Sequence, residues 1–100
     1  MAGKVTVIAH VHAKPGKEEA TKLALLALVE PTRVEEGCLN YDLHQYPDER
    51  TKFCFYENWT SRELLEKHLA SAHVQAFRAQ IPELLTAPPD IQIWEIISKL

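Results

Sequence analysis

One hundred residues make a single domain, expected to span 1–100, and a chain of this length buries roughly two-thirds of its unfolded surface. Hydrophobic residues at 46% and charged residues at 25% suit a soluble globular protein. A net charge of −3 without any Lys/Arg cluster excludes the electrostatic footprint of a nucleic-acid binder. The longest apolar stretch, around LALLALV, is far short of the ~20 residues that span a bilayer, so no membrane partner is expected. The opening MAGKVTVIAHVHAK lacks a cleavage pattern and reads as a strand, which predicts a cytoplasmic protein.

In KVTVIAHVHA, Val5, Val7, Ala9 and Val11 alternate with Thr6, Ile8, His10 and His12, the period-two pattern of a strand. KPG at 14–16 turns the chain. From Lys17 the spacing of Ala20, Leu23, Ala27, Glu30 and Val34, with Leu26 beside them, predicts a helix of about five turns. Pro31 is expected to kink it and Gly37 to stop it. CLNYDLHQY is a second strand, with Leu39, Tyr41 and Leu43 opposite Asn40, Asp42 and His44. PDER turns the chain and TKFCFYENW returns as the third strand. That hairpin pairs Cys54 with Leu43 or His44 rather than with Cys38, so both cysteines are expected to be free, packing thiols.

Thr60 is the expected N-cap of the next helix, with Glu63 completing a capping box. The helix runs through Leu64, Leu65, His68 and Leu69, and Ser71 offers a second cap from which AHVQAFRAQIPELL restarts at a new angle. APPD ends it and IQIWEII is the last strand. The order βαββαβ is the ferredoxin-like α+β arrangement with an antiparallel sheet. FCFYENW and IQIWEII are apolar on both sides of their alternation, whereas a water-facing second side should be polar. A homodimer with sheets packed face to face is the simplest account.

Most catalytic motifs are absent. Only Gly3, Gly16 and Gly37 occur, so no P-loop or Rossmann glycine pattern exists, and HExxH, CxxC and GxSxG are missing. His68 and His73 are five apart, roughly 140° on an unbroken helix. His10 and His12 share a strand face without a placed carboxylate, so no metal site is expected. If Ser71 is a cap, His73 stands second in its helix, where the free amides favour a neutral ring able to donate one hydrogen bond and accept another. His68 shares an apolar side with Leu64, Leu65 and Leu69. Glu57 and Trp59 share a strand face with Phe53 and Phe55, and a carboxylate in that row must find a partner, from Arg62 or a histidine, or shift its pKa. Tyr41 and His44 point to opposite faces.

VTVIAHVHAKPGKEEA, LVEPTRVEEGCLNYDLHQ, FCFYENWTSRELLEKHLASAHVQAF and LLTAPPDIQIWEI together resemble the antibiotic biosynthesis monooxygenase superfamily, in particular its small stand-alone members related to quinol monooxygenases. The likeness covers essentially the whole chain, and Glu-x-Trp followed by a helix carrying HLASAH is its most specific part. It implies a dimeric α+β barrel with a pocket between sheet and helices. It also implies oxygenation of a small phenolic, quinol or polyketide-like aromatic compound, with molecular oxygen as co-substrate and no flavin, haem or metal. By that resemblance Glu57, Trp59, His68 and His73 are the positions to carry over. In the superfamily's haem-degrading members an Asn, a Trp and an iron-ligating His matter; these align with Val11, His68 and Arg78, and none matches. A further branch isomerises a phosphorylated dione of autoinducer-2 processing, for which Arg62 or Arg78 would be the cationic anchor.

Cofactor-free oxygenation needs a base, hydrogen bonds to the developing oxyanion and a chamber that excludes water. The expected assignment is His73 as base and His68 as its hydrogen-bonding companion. Trp59, Glu57, Tyr41, Phe55 and Leu65 contact substrate, and Phe53 adds to the dry wall. The alternatives are a non-oxidative isomerase using the same histidines and a small-ligand binding module without turnover.

Overall fold

The computed structural model describes residues 3–98; residues 1–2 and 99–100 of the expected domain lie outside the described residues. Four strands, β1 (Val5–His12), β2 (Cys38–Gln45), β3 (Lys52–Trp59) and β4 (Asp90–Glu95), form one antiparallel sheet in the order β2-β3-β1-β4. Five helical segments accompany them: α1 (Glu18–Leu26), α2 (Val29–Arg33), α3 (Arg62–Leu69), α4 (Ala72–Arg78) and α5 (Ile81–Leu84). This is the ferredoxin-like arrangement expected from the strand and helix periods. No helix among the described residues is long and apolar enough to cross a membrane.

The alternation in β1 and β3 works as read. Val7, Ala9 and Val11 join Phe53, Phe55, Glu57 and Trp59 on the buried face, while His10 and His12 are exposed. Cys54 pairs with His44, and Cys38 and Cys54 are unbridged. In β2 an irregularity between Cys38 and Asn40 turns Leu39 outward, against the expectation that it would align with Tyr41. A bulge adds one residue and so exchanges faces locally.

The first helical region differs more. It breaks at Ala27–Leu28 into α1 and α2, and Pro31 lies inside α2 without an N–H to extend the earlier turn. The buried stripe is Thr21, Leu25, Leu28 and Thr32, whereas Ala20, Leu23, Leu26, Ala27, Glu30 and Val34 are exposed. Both stripes have helical spacing. The true one was masked because two of its members are threonines, which an apolar pattern does not count. Ser61, not Thr60, caps α3 by accepting from the Leu64 amide at 3.2 Å. Ser71 does occupy the cap position of α4, and the helix restarts there. The expected single run to Leu85 is split, with Pro82 opening the short α5.

Both faces of the sheet carry apolar groups, as the third and fourth strands suggested. The inner face is closed by helices; outside, Tyr56 and Trp94 are 44% and 53% exposed. Beside them runs a polar ladder. Thr6 Oγ1 donates to Asn58 Oδ1 at 2.6 Å, Asn58 Nδ2 to Asn40 Oδ1 at 2.9 Å, and Asn40 Nδ2 to Asp42 Oδ2 at 3.1 Å.

Candidate active site

A cavity of about 390 Å³ lies between the inner sheet face and the helices. Ala9, Val11, Tyr41, Phe55 and Glu57 form its floor, Leu25 and Leu28 one wall, and His68, Val74 and Phe77 the other. Arg78 and Pro88–Pro89 also border it. Tyr41 stacks on Phe55 with ring centroids 4.5 Å apart and meets His68 edge-on at 5.5 Å. The result is a mostly apolar chamber with a few polar groups, the usual anatomy of a small-molecule site.

The strand that supplies the floor also supplies a carboxyl group. Period-two alternation turns Glu57 inward, and neither Arg62 nor a histidine meets it. Trp59 Nε1 donates to its Oε1 at 2.9 Å, and the residue lines the cavity. Glu57 is 4% exposed. Burial raises its pKa to about 7; the Trp59 hydrogen bond works the other way, and the Glu35 charge adds to the rise. Near neutral pH the group therefore exists in both forms, as acceptor and as donor. Arg62 instead pairs with Glu66 on the surface.

Glu35, which no motif or spacing marks in the sequence, organises the other polar end. It sits in the turn between α2 and β2, where Gly37 has φ of 88°. A Cβ at Gly37 would stand 2.5 Å from Leu64 Cδ1 and 2.8 Å from Leu64 Cβ, so glycine is what lets this turn lie against α3. The Thr60 amide donates to the Gly37 carbonyl at 2.9 Å and ties the turn to the end of β3. Glu35 Oε2 is consequently 2.9 Å from His68 Nδ1 and 2.8 Å from His73 Nε2. A carboxylate only accepts, so each imidazole presents an N–H to it. Thr32 Oγ1 and Ser71 Oγ lie 3.1 and 3.4 Å from the same His73 nitrogen.

This contact settles the tautomer of His68. Its pKa is lowered, chiefly by burial and against the pull of Glu35, so the ring is neutral at pH 7. With the proton held on Nδ1, Nε2 is the lone-pair nitrogen of a residue that lines the cavity. Burial, followed by the Glu57 charge, raises the Tyr41 pKa and keeps it a phenol. Burial likewise pushes the Cys38 thiol up to about 11 and raises that of Cys54, so neither is poised as a nucleophile.

Of the catalytic and substrate-binding residues expected from the sequence, Tyr41, Phe55, Glu57 and His68 reach the cavity, as does Arg78, one of the two expected cationic anchors. Trp59 and Leu65 are fully buried behind its lining, Trp59 acting through Glu57. Phe53 is buried core as well. His73 does not line the cavity; its Nε2 meets the same Glu35 oxygen as His68 does. The helical angle between the two histidines did not keep them apart, because the chain breaks between Leu69 and Ala72 and their rings stand 6.0 Å apart. Glu35, His68 and His73 place three potential ligand atoms within 4.8 Å of one another. Glu35 had one available signal, being an acidic residue beside a turn glycine, and that is too common a pattern to single it out.

Residues 4–80 match the family model described as antibiotic biosynthesis monooxygenase. The chain is 37% identical over 93 residues to "Putative monooxygenase Rv0793" of Mycobacterium tuberculosis, covering 93% of this chain and 91% of that one. It is 34% identical over 87 residues to "Putative monooxygenase YcnE" of Bacillus subtilis, covering 87% and 92%. Among solved structures, PA3566 of Pseudomonas aeruginosa superposes with a TM-score of 0.91 at 36% identity over 98% of both chains.

Proposed function

Since the chain belongs to the antibiotic biosynthesis monooxygenase family, we propose that it is a cofactor-independent monooxygenase of a small phenol or quinol, with His68 as the base. The observation that carries this reading is the Glu35–His68 pair at 2.9 Å on the wall of an apolar cavity. Triplet oxygen reacts slowly with closed-shell molecules, but a phenolate can give it an electron directly. His68 Nε2 takes the phenol proton, while Glu35 holds the ring in the accepting tautomer and stabilises the imidazolium that forms. Protonated Glu57 donates to the oxygen on which charge develops, with Trp59 fixing its orientation. Tyr41 and Phe55 support the substrate ring. Insertion of one oxygen atom and loss of water convert phenol and O2 into quinone and water; both electron pairs come from the substrate, so neither haem nor flavin is required. His73 is a positioning residue in this scheme, acting through Glu35.

The same reading places the enzyme in the cytoplasm, where its two unbridged thiols stay reduced. It also makes it a homodimer. Tyr56 and Trp94 outside the sheet are apolar surface that a second sheet would bury. A second reading, isomerisation of a small phosphorylated dione, is favoured by one observation: Arg78 borders the cavity and offers an anion anchor.

Oxygen consumption with a panel of quinols and polyphenols in metal-free buffer tests the first reading. Uptake by the wild type that is lost in His68→Ala is expected. Uptake no faster than autoxidation would refute oxygenation, and phosphate-dependent ligand affinity would then favour the isomerase.

A further inference from the structure

We propose that Glu35, His68 and His73 form a binding site for a zinc-type divalent cation, and that occupancy of this site silences the base. The two imidazole nitrogens and the carboxylate oxygen, all within 4.8 Å of one another, come from a turn and two different helices. Two imidazoles and one carboxylate are a recurrent zinc donor set, with a fourth position left for water. Hard cations such as calcium or magnesium want more oxygen ligands than this cluster supplies.

The distances suit the exchange of a hydrogen-bonded cluster for a coordinated one. Ligand atoms around a tetrahedral zinc, each at about 2.0–2.2 Å from the metal, stand about 3.3–3.6 Å apart. Glu35 Oε2 is now 2.9 and 2.8 Å from the two nitrogens, which lie within 4.8 Å of each other, so the carboxylate swings outward as the two rings close on the ion. Thr32 and Ser71 hydroxyls beside His73 Nε2 can hydrogen-bond a metal-bound water. Access is available from solvent, because Glu35 and His73 keep 18% and 23% of their side chains exposed while His68 keeps 3%.

The consequence for the cavity is a change of tautomer. Without the ion, Glu35 holds the proton on His68 Nδ1, and Nε2 offers a lone pair. Coordination needs the Nδ1 lone pair, so the proton of the neutral ring moves to Nε2. The cavity then meets a donor where it met an acceptor, and proton abstraction stops. Binding of the ion stands independently; its effect on turnover rests on the proposed role of His68 as base.

The test begins with cobalt(II), a spectroscopic stand-in for zinc, titrated into the full chain. Ligand-field absorption of a four-coordinate ion is expected, saturating at one ion per chain and displaced by zinc. It should be lost in His73→Ala and in Glu35→Gln and kept in His10→Ala. In the wild type, zinc should move the NMR ring signals of His68 and His73 and leave those of His10, His12 and His44 in place, a readout that needs no variant to fold. Absence of bands, bands that survive His73→Ala, or shifts confined to His10, His12 and His44 would overturn the site. One equivalent of zinc should lower wild-type oxygen uptake by roughly a hundredfold or more, the scale of a lost base. Unchanged uptake with the ion demonstrably bound would overturn the silencing. Should the protein show no oxygenase activity at all, the cobalt and NMR results still decide whether the site exists.

Discussion

The two faces of the sheet are built from the same strands by the same alternation, yet they hold very different chemistry. On β3, Glu57 points inward and Asn58 outward. The inner carboxyl lies under helices, with one indole N–H for company, and its pKa rises to about 7. The outer amide sits in a ladder in which Thr6, Asn58, Asn40 and Asp42 satisfy one another. Histidines divide in the same way. His10, His12 and His44 are exposed, whereas His68, brought over the inner face by α3, is held by a carboxylate. A polar residue acquires unusual properties here when helices remove water from it and supply only one or two partners.

Glu35→Gln probes this contrast with the largest expected effect. The amide keeps the size of the carboxylate but loses its charge and no longer enforces the Nδ1–H tautomer. Turnover should fall by about 10²–10⁴-fold, the range associated with a mis-set or lost catalytic base. His10→Ala on the outer face should leave the rate unchanged. Oxygen-electrode rates for the two variants, compared with the wild type, decide it; equal losses would erase the distinction between the faces.

Glu57 gives the next largest effect, through stability. Its folded pKa of about 7 lies above the ordinary 4.5, so the native state holds this proton more tightly than the unfolded chain. The contribution is complete below about pH 4.5 and lost as the pH rises through about 7. The span is worth on the order of 3 kcal/mol. Glu57→Gln removes that slope, so the variant should gain on the wild type by this amount between pH 4.5 and pH 8. Urea unfolding of both proteins at the two pH values measures the gain. The lowered pKa of His68 acts in the opposite direction in both proteins and cancels in the comparison. Parallel pH profiles would mean that Glu57 is solvated.

How far the sequence reveals each region follows from the range of the interactions involved. Strand faces are local, so Phe53, Phe55, Glu57 and Trp59 are legible from alternation, and the His44–Cys54 pairing follows from one hairpin. Ser71 is legible as a cap for the same reason. The first helical region misleads because Thr21 and Thr32 are buried among leucines, and the bulge at Cys38–Asn40 leaves no mark in the pattern. Thr60 and Ser61 are adjacent cap residues between which spacing alone cannot choose. The Glu35–His68 contact spans 33 positions and depends on Gly37 meeting Leu64, a tertiary fact with no local period. Tyr41, Phe55, Glu57 and His68 on the cavity lining could thus be named in advance, but not Glu35, the carboxylate that holds His68.

Trp94 tests what covers the outer face. Trp94 is a large aromatic exposed on the outer face, the residue type of an interface anchor, worth about 2 kcal/mol when truncated. Trp94→Ala should weaken the proposed dimer roughly thirtyfold, visible by light scattering across a dilution series. A wild type that is monomeric at micromolar concentration would refute the dimer outright.

The polar ladder carries the smallest effect and separates a covered face from a wet one. Asn58→Ala leaves the Thr6 hydroxyl without its acceptor and the Asn40 carbonyl without a donor. Thr6 is 8% exposed and Asn58 7%, so water has little access even in one subunit, and a second sheet would remove the rest. Under a covering partner the loss should reach about 1–2 kcal/mol, the cost of an unsatisfied buried group. Thr6→Val added to Asn58→Ala should recover part of it, because a valine asks for no partner. If water can reach the ladder, the single variant loses under about 0.5 kcal/mol and the second change recovers nothing. Urea unfolding at concentrations above and below dimer dissociation therefore reads the same two residues in both settings. A loss that grows with protein concentration would show that the outer face, like the inner one, takes its chemistry from what excludes water from it.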